Sequence, residues 1–123
     1  MTDLIVIKHR FTSLNAYINA ERTNKYIASS IKKKETDLVV ILVKNWMNEK
    51  KISQIEYPVF INFNWITPNE REDPDNICFA KKFILDGMVD AGLLKKDGRK
   101  QIKGFNDSFS LSDEYSVEIN FCL

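Results

Sequence analysis

The stretch YPVFINFNWI, residues 57 to 66, decides the fold. Val59, Ile61, Phe63 and Trp65 recur at every second position with Asn62 and Asn64 between them, so apolar side chains point one way and amides the other. That is a half-buried strand, and Pro58, which cannot donate to a ladder, fits only at its beginning. Upstream, Asn24 to about Asn48 holds neither Pro nor Gly, and Tyr26, Ile27, Ile31, Leu38, Val39, Leu42, Val43 and Trp46 recur largely at spacings of three and four, which predicts a long helix. Leu4 to Ile7 reads as a first strand, and residues 11 to 23 as a loop with a short helix. Downstream, TPNERE (67 to 72) is a polar loop. Asp73 can then serve as N-cap with Pro74 at the first helical position, where a missing N–H is no loss. The predicted helix runs from Asp75 to about Ala91, burying Ile77, Ala80, Ile84 and Met88, and Gly92 stops it. Lys96-Asp97-Gly98 is a turn signal, Lys100 to Phe105 reads as a strand, and Tyr115 to Phe121 alternates again. The expected fold is a single small α/β (α+β) domain over residues 1 to 123, a mixed β-sheet with two main helices packed on one side.

Composition agrees with one folded domain. An apolar content of 44% with 28% charged residues is ordinary for a globular chain, and the longest apolar run, Leu38 to Val43, is far short of the roughly 20 residues a spanning helix needs. No membrane partner is expected. Asp3, Lys8, His9 and Arg10 interrupt the N-terminus before an apolar segment of signal-peptide length can form, so the expected compartment is the cytoplasm, with Cys78 and Cys122 reduced. The net charge of +1 excludes a strongly basic nucleic-acid binder of the histone kind but hides local clusters. Lys95, Lys96, Arg99, Lys100 and Lys103 surround one acid, Asp97, and Lys32-Lys33-Lys34 form a second run that reads as a solvated face.

Glu70, Glu72, Asp73 and Asp75 crowd six positions just where a helix begins. Acids at a helix N-terminus complement the macrodipole by roughly 0.3 to 1 kcal/mol each. Four exceed what a cap can use, and something positive is expected beside them. A hard divalent cation, held by one or two carboxylates plus water and phosphate, suits an Asp-x-Asp at a loop-to-helix junction. Asp75, Lys82 and Asp86, spaced by seven and four, fall along one helical face, which equally fits a solvated face with an i, i+4 pair. An EF-hand loop fails, because Ile77 and Cys78 stand where it needs Asp or Asn and Gly. An aspartyl-nucleophile phosphatase would present its acids directly off a strand, and a manganese-dependent sugar transferase would be larger.

The ordered run Asp73-Pro74-Asp75-Asn76, then Lys82, Asp86 and Ala91-Gly92, with Asp97 five residues past the glycine, resembles the RusA family of Holliday-junction resolvases, often carried by phages and prophages. The resemblance covers residues 58 to 105 well and residues 11 to 50 loosely. It implies a homodimeric, Mg²⁺- or Mn²⁺-dependent endodeoxyribonuclease that nicks opposed strands of four-way DNA junctions in recombination and repair. By that resemblance Asp73, Asp75 and Asp97 match the essential metal-binding acids and Lys82 the essential lysine. Asn76 and Asp86 match recurrent positions, and Lys95, Lys96, Arg99, Lys100 and Lys103 become phosphate contacts around Asp97. The chain departs from compact members by three extra residues between Asn76 and Lys82, which leaves Lys81 open beside Lys82, and by Lys96 in place of a second acid. A nuclease for other branched DNA, or a non-catalytic DNA-binding protein keeping the fold, are the alternatives. His9 reads as structural, and Trp46 and Trp65 as core.

Overall fold

The computed structural model describes residues 3 to 123. Its elements are β1 (Ile5–Ile7), α1 (Leu14–Thr23), α2 (Lys25–Lys50), β2 (Val59–Thr67), α3 (Pro74–Cys78), α4 (Lys81–Asp90), β3 (Ile102–Leu111) and β4 (Ser116–Cys122). They form one α+β domain around a four-stranded mixed sheet of order β1-β4-β2-β3. β4 runs antiparallel to both β1 and β2, whereas β2 and β3 are parallel, joined by a crossover through α3 and α4.

The alternation in β2 sets the layers. Val59, Ile61, Phe63 and Trp65 are buried and share one core with Ile5, Ile7, Val117, Ile119 and Phe121 of the other strands and with Val39, Val43, Trp46, Phe83, Ile84 and Met88 of α2 and α4. Asn62 and Asn64 lie on the other face, bonded to Asn106 and Glu118 of the neighbouring strands. Trp46 ties the long helix to the sheet by donating its indole N–H to the Leu4 carbonyl at 2.9 Å. Gly87 lets α2 and α4 approach closely, since a Cβ there would lie 2.4 and 2.6 Å from Val39 Cγ1 and Cβ.

Four expectations need correction. Residues 14 to 23 form a full helix, capped by the Ser13 hydroxyl, which accepts from the Ala16 N–H. Leu14, Tyr17 and Ile18 stand at helical spacing on its packed side, but none of its residues is fully buried. The helix expected from Asp75 to Ala91 is broken in two, although no Pro or Gly stands between Asp75 and Asp86. At the junction the N–H groups of Ala80, Lys82 and Phe83 reach back three residues, to Ile77, Phe79 and Ala80 carbonyls. This tightening accompanies a tertiary contact: the Phe79 ring packs on Tyr17 of α1 and edge-on to Phe83. A stripe projected across residues 75 to 86 as one continuous helix therefore loses its register. The third correction is β3, which continues to Leu111 rather than ending near Phe105. It lies at the sheet edge, where half of its side chains need not be apolar. The last concerns Asp73. It occupies the N-cap position with Pro74 at N1, but its carboxylate caps nothing.

The predicted stop at Gly92 stands. Its φ is 86°, the Leu93 N–H bonds the Met88 carbonyl at 2.9 Å, and the Gly92 N–H bonds the Val89 carbonyl at 3.0 Å. That is the double bond of a Schellman cap.

Candidate functional site

Beyond the C-terminal end of β2 the chain turns through residues 68 to 73 into α3, and this turn holds the acidic run. One of its charges has an identifiable counterpart. Glu72 lies 3.6 Å from the Arg10 guanidinium, itself stacked over the Tyr115 ring, and accepts from the Asn76 amide at 3.0 Å. The Asn76 amide oxygen in turn accepts the Asn15 N–H of α1 at 2.9 Å. Asn76 thus ties the Asp73-Pro74-Asp75 turn to the start of α1 and to Glu72, four residues earlier. Asp73 and Asp75 are exposed, and among the described residues neither carboxylate has a hydrogen-bond or ion-pair partner.

On the sheet side of α4, the ammonium of Lys81 lies 2.7 Å from Asp107 Oδ2 of β3. The other oxygen, Oδ1, accepts the Trp65 indole N–H at 2.8 Å. The same ammonium sits 4.3 Å from the Phe105 ring centroid and 5.3 Å from that of Phe63. The Lys81 and Asp107 side chains are only 17% and 24% exposed, although the edge-strand backbone at Asp107 is open. Cys78, one turn before Lys81, shares this environment. Burial pushes its thiol pKa up, the negative charge of Asp107 adds to the rise and Lys81 opposes it, with Asp75 contributing in the same direction as Asp107. Cys78 therefore feels the charges of Asp107, Lys81 and Asp75.

Lys82 points elsewhere. Its side chain is 57% exposed and pairs at 3.7 Å with Asp86, which also meets Lys32 of α2 at 4.0 Å. Asp86 is a bridge between two helices. Lys82 and Asp86 share a face as expected, but Asp75 stands in α3 across the break, which turns Lys81 inward and leaves Lys82 on the surface.

Asp97 is not brought to Asp73 and Asp75. Among the described residues no group of three or more His, Cys, Asp or Glu side chains is arranged to hold a metal ion. Topology gives the reason. In a parallel pair the crossover must carry the chain from the C-terminal end of β2 back to the N-terminal end of β3, and register pairs Val59 with Ile102 and Thr67 with Leu111. Asp73 follows the first strand's end, whereas Asp97 precedes the second strand's start. Asp97 instead lines a groove with Lys32, Lys33, Asp86 and Asp90, while Asp73 lines one with Glu70, Glu72 and Leu111. Lys95, Lys96, Arg99, Lys100 and Lys103 are all exposed, on the turn and strand start around Asp97.

The pairing of Asp107 with Lys81 and Trp65 is not anticipated from the sequence, yet a signal existed. In Phe105, Asp107, Phe109 and Leu111 a charge interrupts a period-two apolar series, and a charge facing a sheet's packed side must be paired. His9 is structural as expected: its imidazole meets the buried Glu35, whose other oxygen accepts from both the N–H and the hydroxyl of Thr12. Neither a comparison with protein-family models nor one with curated proteins finds a match for this chain.

Proposed function

We propose that this chain is a metal-dependent, structure-specific endodeoxyribonuclease that resolves four-way DNA junctions by symmetric nicking. The observation that carries the reading is the pair of exposed, unspent carboxylates on either side of Pro74, within a motif ordered as in the RusA family. Two carboxylates fit what Mg²⁺ asks of a protein, one or two oxygens completed by water and phosphate, and Asp97 stands at the other end of the parallel pair. Mg²⁺ held by Asp73 and Asp75 would supply activation of a water and neutralisation of charge at the scissile phosphate. The chain's own contribution is to position. Asn76 fixes the turn, and the cations from Lys95 to Lys103 bind phosphates without reading bases.

A second copy is supported by β3. This edge strand shows Phe105, Phe109 and Leu111 exposed on the same face as the buried residues of β2, beside an unpaired backbone edge. Natural proteins cover such edges, and two-fold pairing is the usual way for like subunits. A dimer would also place two acid turns on one symmetric junction.

The separation of Asp97 from the acid turn favours a second reading, a DNA-binding protein that keeps the fold without cutting. One assay divides the two. A mobile four-way junction, a flap and a linear duplex are incubated with the protein and Mg²⁺, and nicking is read on denaturing gels. The nuclease reading expects paired nicks in the junction, lost in Asp75→Asn while binding persists. Junction binding by the wild type with no metal-dependent nicking would overturn it in favour of the second.

A further inference from the structure

We propose that the helix-free face of the sheet binds an unpaired stretch of single-stranded DNA, with Phe60 as the platform on which one base stacks and the row Asn120, Asn62 and Asn106 as the groups that meet its edge. The choice of DNA rests on the nuclease reading above; the platform and the row rest on the sheet. Register sets the row, since Asn62 of β2 lies opposite Asn106 of β3 on one side and opposite Asn120 of β4 on the other. Phe60 is the preceding outward residue of β2, about 7 Å along the strand from Asn62. Val59 pairs with Ile102 but Phe60 with Gly104, so β3 carries a bulge here and its extra residue is Lys103. The Lys103 ammonium is thereby brought to 5.9 Å from the Phe60 ring centroid. Gly104 leaves the ring its place, for a Cβ there would lie 3.0 and 3.2 Å from Phe60 Cε1 and Cδ1. The ring therefore leans across β3 and stays 36% exposed. An exposed ring beside a cation is what single-strand binders offer a base.

The chemistry of this face selects its occupant. A docked protein asks for an apolar centre with a polar rim, and here the order is reversed: amides hold the centre, with Leu4 and Val6 exposed at the β1 margin. A neutral sugar chain would make no use of Lys103 or of the exposed cations of the turn that leads into β3. DNA uses both, phosphates on the cations and a base on the ring and amides. The one acid among the outward residues of the four strands, Glu118, lies a row beyond the amides, opposite Asn64, whose amide it accepts at 3.2 Å. The amides have bonding capacity left. Asn106 Nδ2 donates to Asn62 Oδ1 at 2.8 Å, a single bond between two groups that each offer two donors and two lone pairs. The Asn120 carbonyl oxygen is shut off from water and, among the described residues, has no partner. Such an acceptor calls for a donor, and the amino groups on base edges are donors. A groove of about 420 Å³ lies over Asn62, Asn106 and Asn120, large enough to seat a base. A ring that served only to cover Gly104 would lie the same way, so the test must separate a base from a phosphate.

Wild type, Phe60→Leu, Asn106→Ala, Gly104→Val and Tyr26→Leu are titrated in EDTA against labelled oligo(dA) of about 12 nucleotides, its abasic counterpart and oligo(rA). Fluorescence anisotropy reads affinity, and melting temperatures are measured alongside. Wild type should hold oligo(dA) at least about tenfold more tightly than the abasic strand. Phe60→Leu keeps an apolar cover but loses the ring; it should weaken oligo(dA) by about 5- to 140-fold, the range of one base–aromatic stack, and leave the abasic strand unchanged. Asn106→Ala, on the exposed edge strand, should weaken oligo(dA) by about fivefold or more, again without effect on the abasic strand. Gly104→Val keeps the ring but displaces it, and should weaken oligo(dA) as well. Tyr26→Leu removes an exposed ring on α2 and should change nothing. Equal wild-type affinity for oligo(dA) and the abasic strand overturns the proposal, as does an unchanged oligo(dA) affinity in Phe60→Leu. Oligo(rA) held more tightly than oligo(dA) overturns the choice of DNA. If Phe60→Leu melts below the assay temperature, Asn106→Ala and Gly104→Val decide in its place: weaker oligo(dA) binding in both supports the site, and unchanged binding in either overturns it. A wild type that nicks junctions yet does not bind oligo(dA) removes this site and leaves the nuclease reading standing. One that binds oligo(dA) through Phe60 yet nicks nothing does the reverse.

Discussion

Replacing Gly87 with Ala should destabilise the domain, against the general rule for helices. Ala in a helix interior is favoured over Gly by roughly 0.5 to 1 kcal/mol, so propensity alone predicts a gain. The packing reverses the sign. A Cβ on residue 87 would stand 2.4 Å from Val39 Cγ1 and 2.6 Å from Val39 Cβ, against a comfortable separation of about 3.5 to 4.0 Å. Turning the Val39 side chain moves Cγ1 but not Cβ, so α2 and α4 must part by about 1 Å, and a gap of that size forfeits up to about half of each contact's dispersion energy. Overpacking of this kind costs about 1 to 3 kcal/mol; at its upper end, less the propensity gain, the expected loss is about 2 kcal/mol. For a chain of 123 residues the unfolding entropy is about 0.26 kcal/mol per kelvin, so the melting midpoint should fall by about 8 °C. Circular dichroism melts of wild type, Gly87→Ala, Val39→Ala and the double variant measure this directly. The double variant should lose less than the sum of the single losses, because Val39→Ala removes Cγ1, one of the two clashing atoms, while Cβ stays. A Gly87→Ala protein that melts at or above the wild-type temperature refutes the reasoning.

Five other outcomes follow from particular contacts. Lys51 closes α2 with φ of 54°, a left-handed conformation that costs a residue with a Cβ about 1 to 2 kcal/mol; Lys51→Gly should therefore raise stability by about 0.5 to 1 kcal/mol in urea unfolding. Asn76→Ala removes the acceptor of the Asn15 N–H and the donor to Glu72, and should cost about 1 to 2 kcal/mol by the same assay. Cys78, its thiol pKa raised by burial and by Asp107, should be alkylated by iodoacetamide more slowly than the exposed Cys122 near pH 8, and faster in Asp107→Asn. Because the folded thiol binds its proton more tightly than the unfolded one, stability is unaffected below the ordinary thiol value of about 8.5 and declines as pH rises through and above it; Cys78→Ala should lose that decline in pH-dependent unfolding. Phe109→Glu should shift sedimentation from dimer to monomer if β3 is the edge that a second copy covers.

Much of the fold is legible because burial writes periodicity into the chain. β2 and β4 alternate because each has one face on the helices, and α2 shows three-and-four spacing because one side of it is packed. The elements that escaped are those whose form depends on partners distant in sequence. α1 is short, its stripe is only Leu14, Tyr17 and Ile18, and it buries none of its residues fully. The break between α3 and α4 has no Pro or Gly to announce it; it goes with Phe79 against Tyr17, 62 positions earlier. β3 beyond Phe105 is an edge, where polar residues are allowed and the alternation fades.

The same division applies to the site. A local excess of charge is visible in any sequence, but its remedy is not. The four acids at 70 to 75 imply a positive partner, and part of that partner is Arg10, which reaches Glu72 from the segment after β1. Another cation, Lys81, is spent on Asp107, an acid lying 32 positions past Asp75 and visible only as a flaw in the apolar series of β3. What these pairings leave over at Pro74 is Asp73 and Asp75, both exposed, with Asn76 holding their turn in place. Two carboxylates kept close in sequence, without a partner, cost the fold repulsion that a bound cation would remove. Neutralising one of them should therefore raise the metal-free melting temperature and abolish stabilisation by Mg²⁺. Asp97→Asn, at the opposite end of the parallel pair, should do neither; if it abolishes the Mg²⁺ effect as fully as Asp75→Asn does, Asp97 joins the metal site and the two-carboxylate account is wrong.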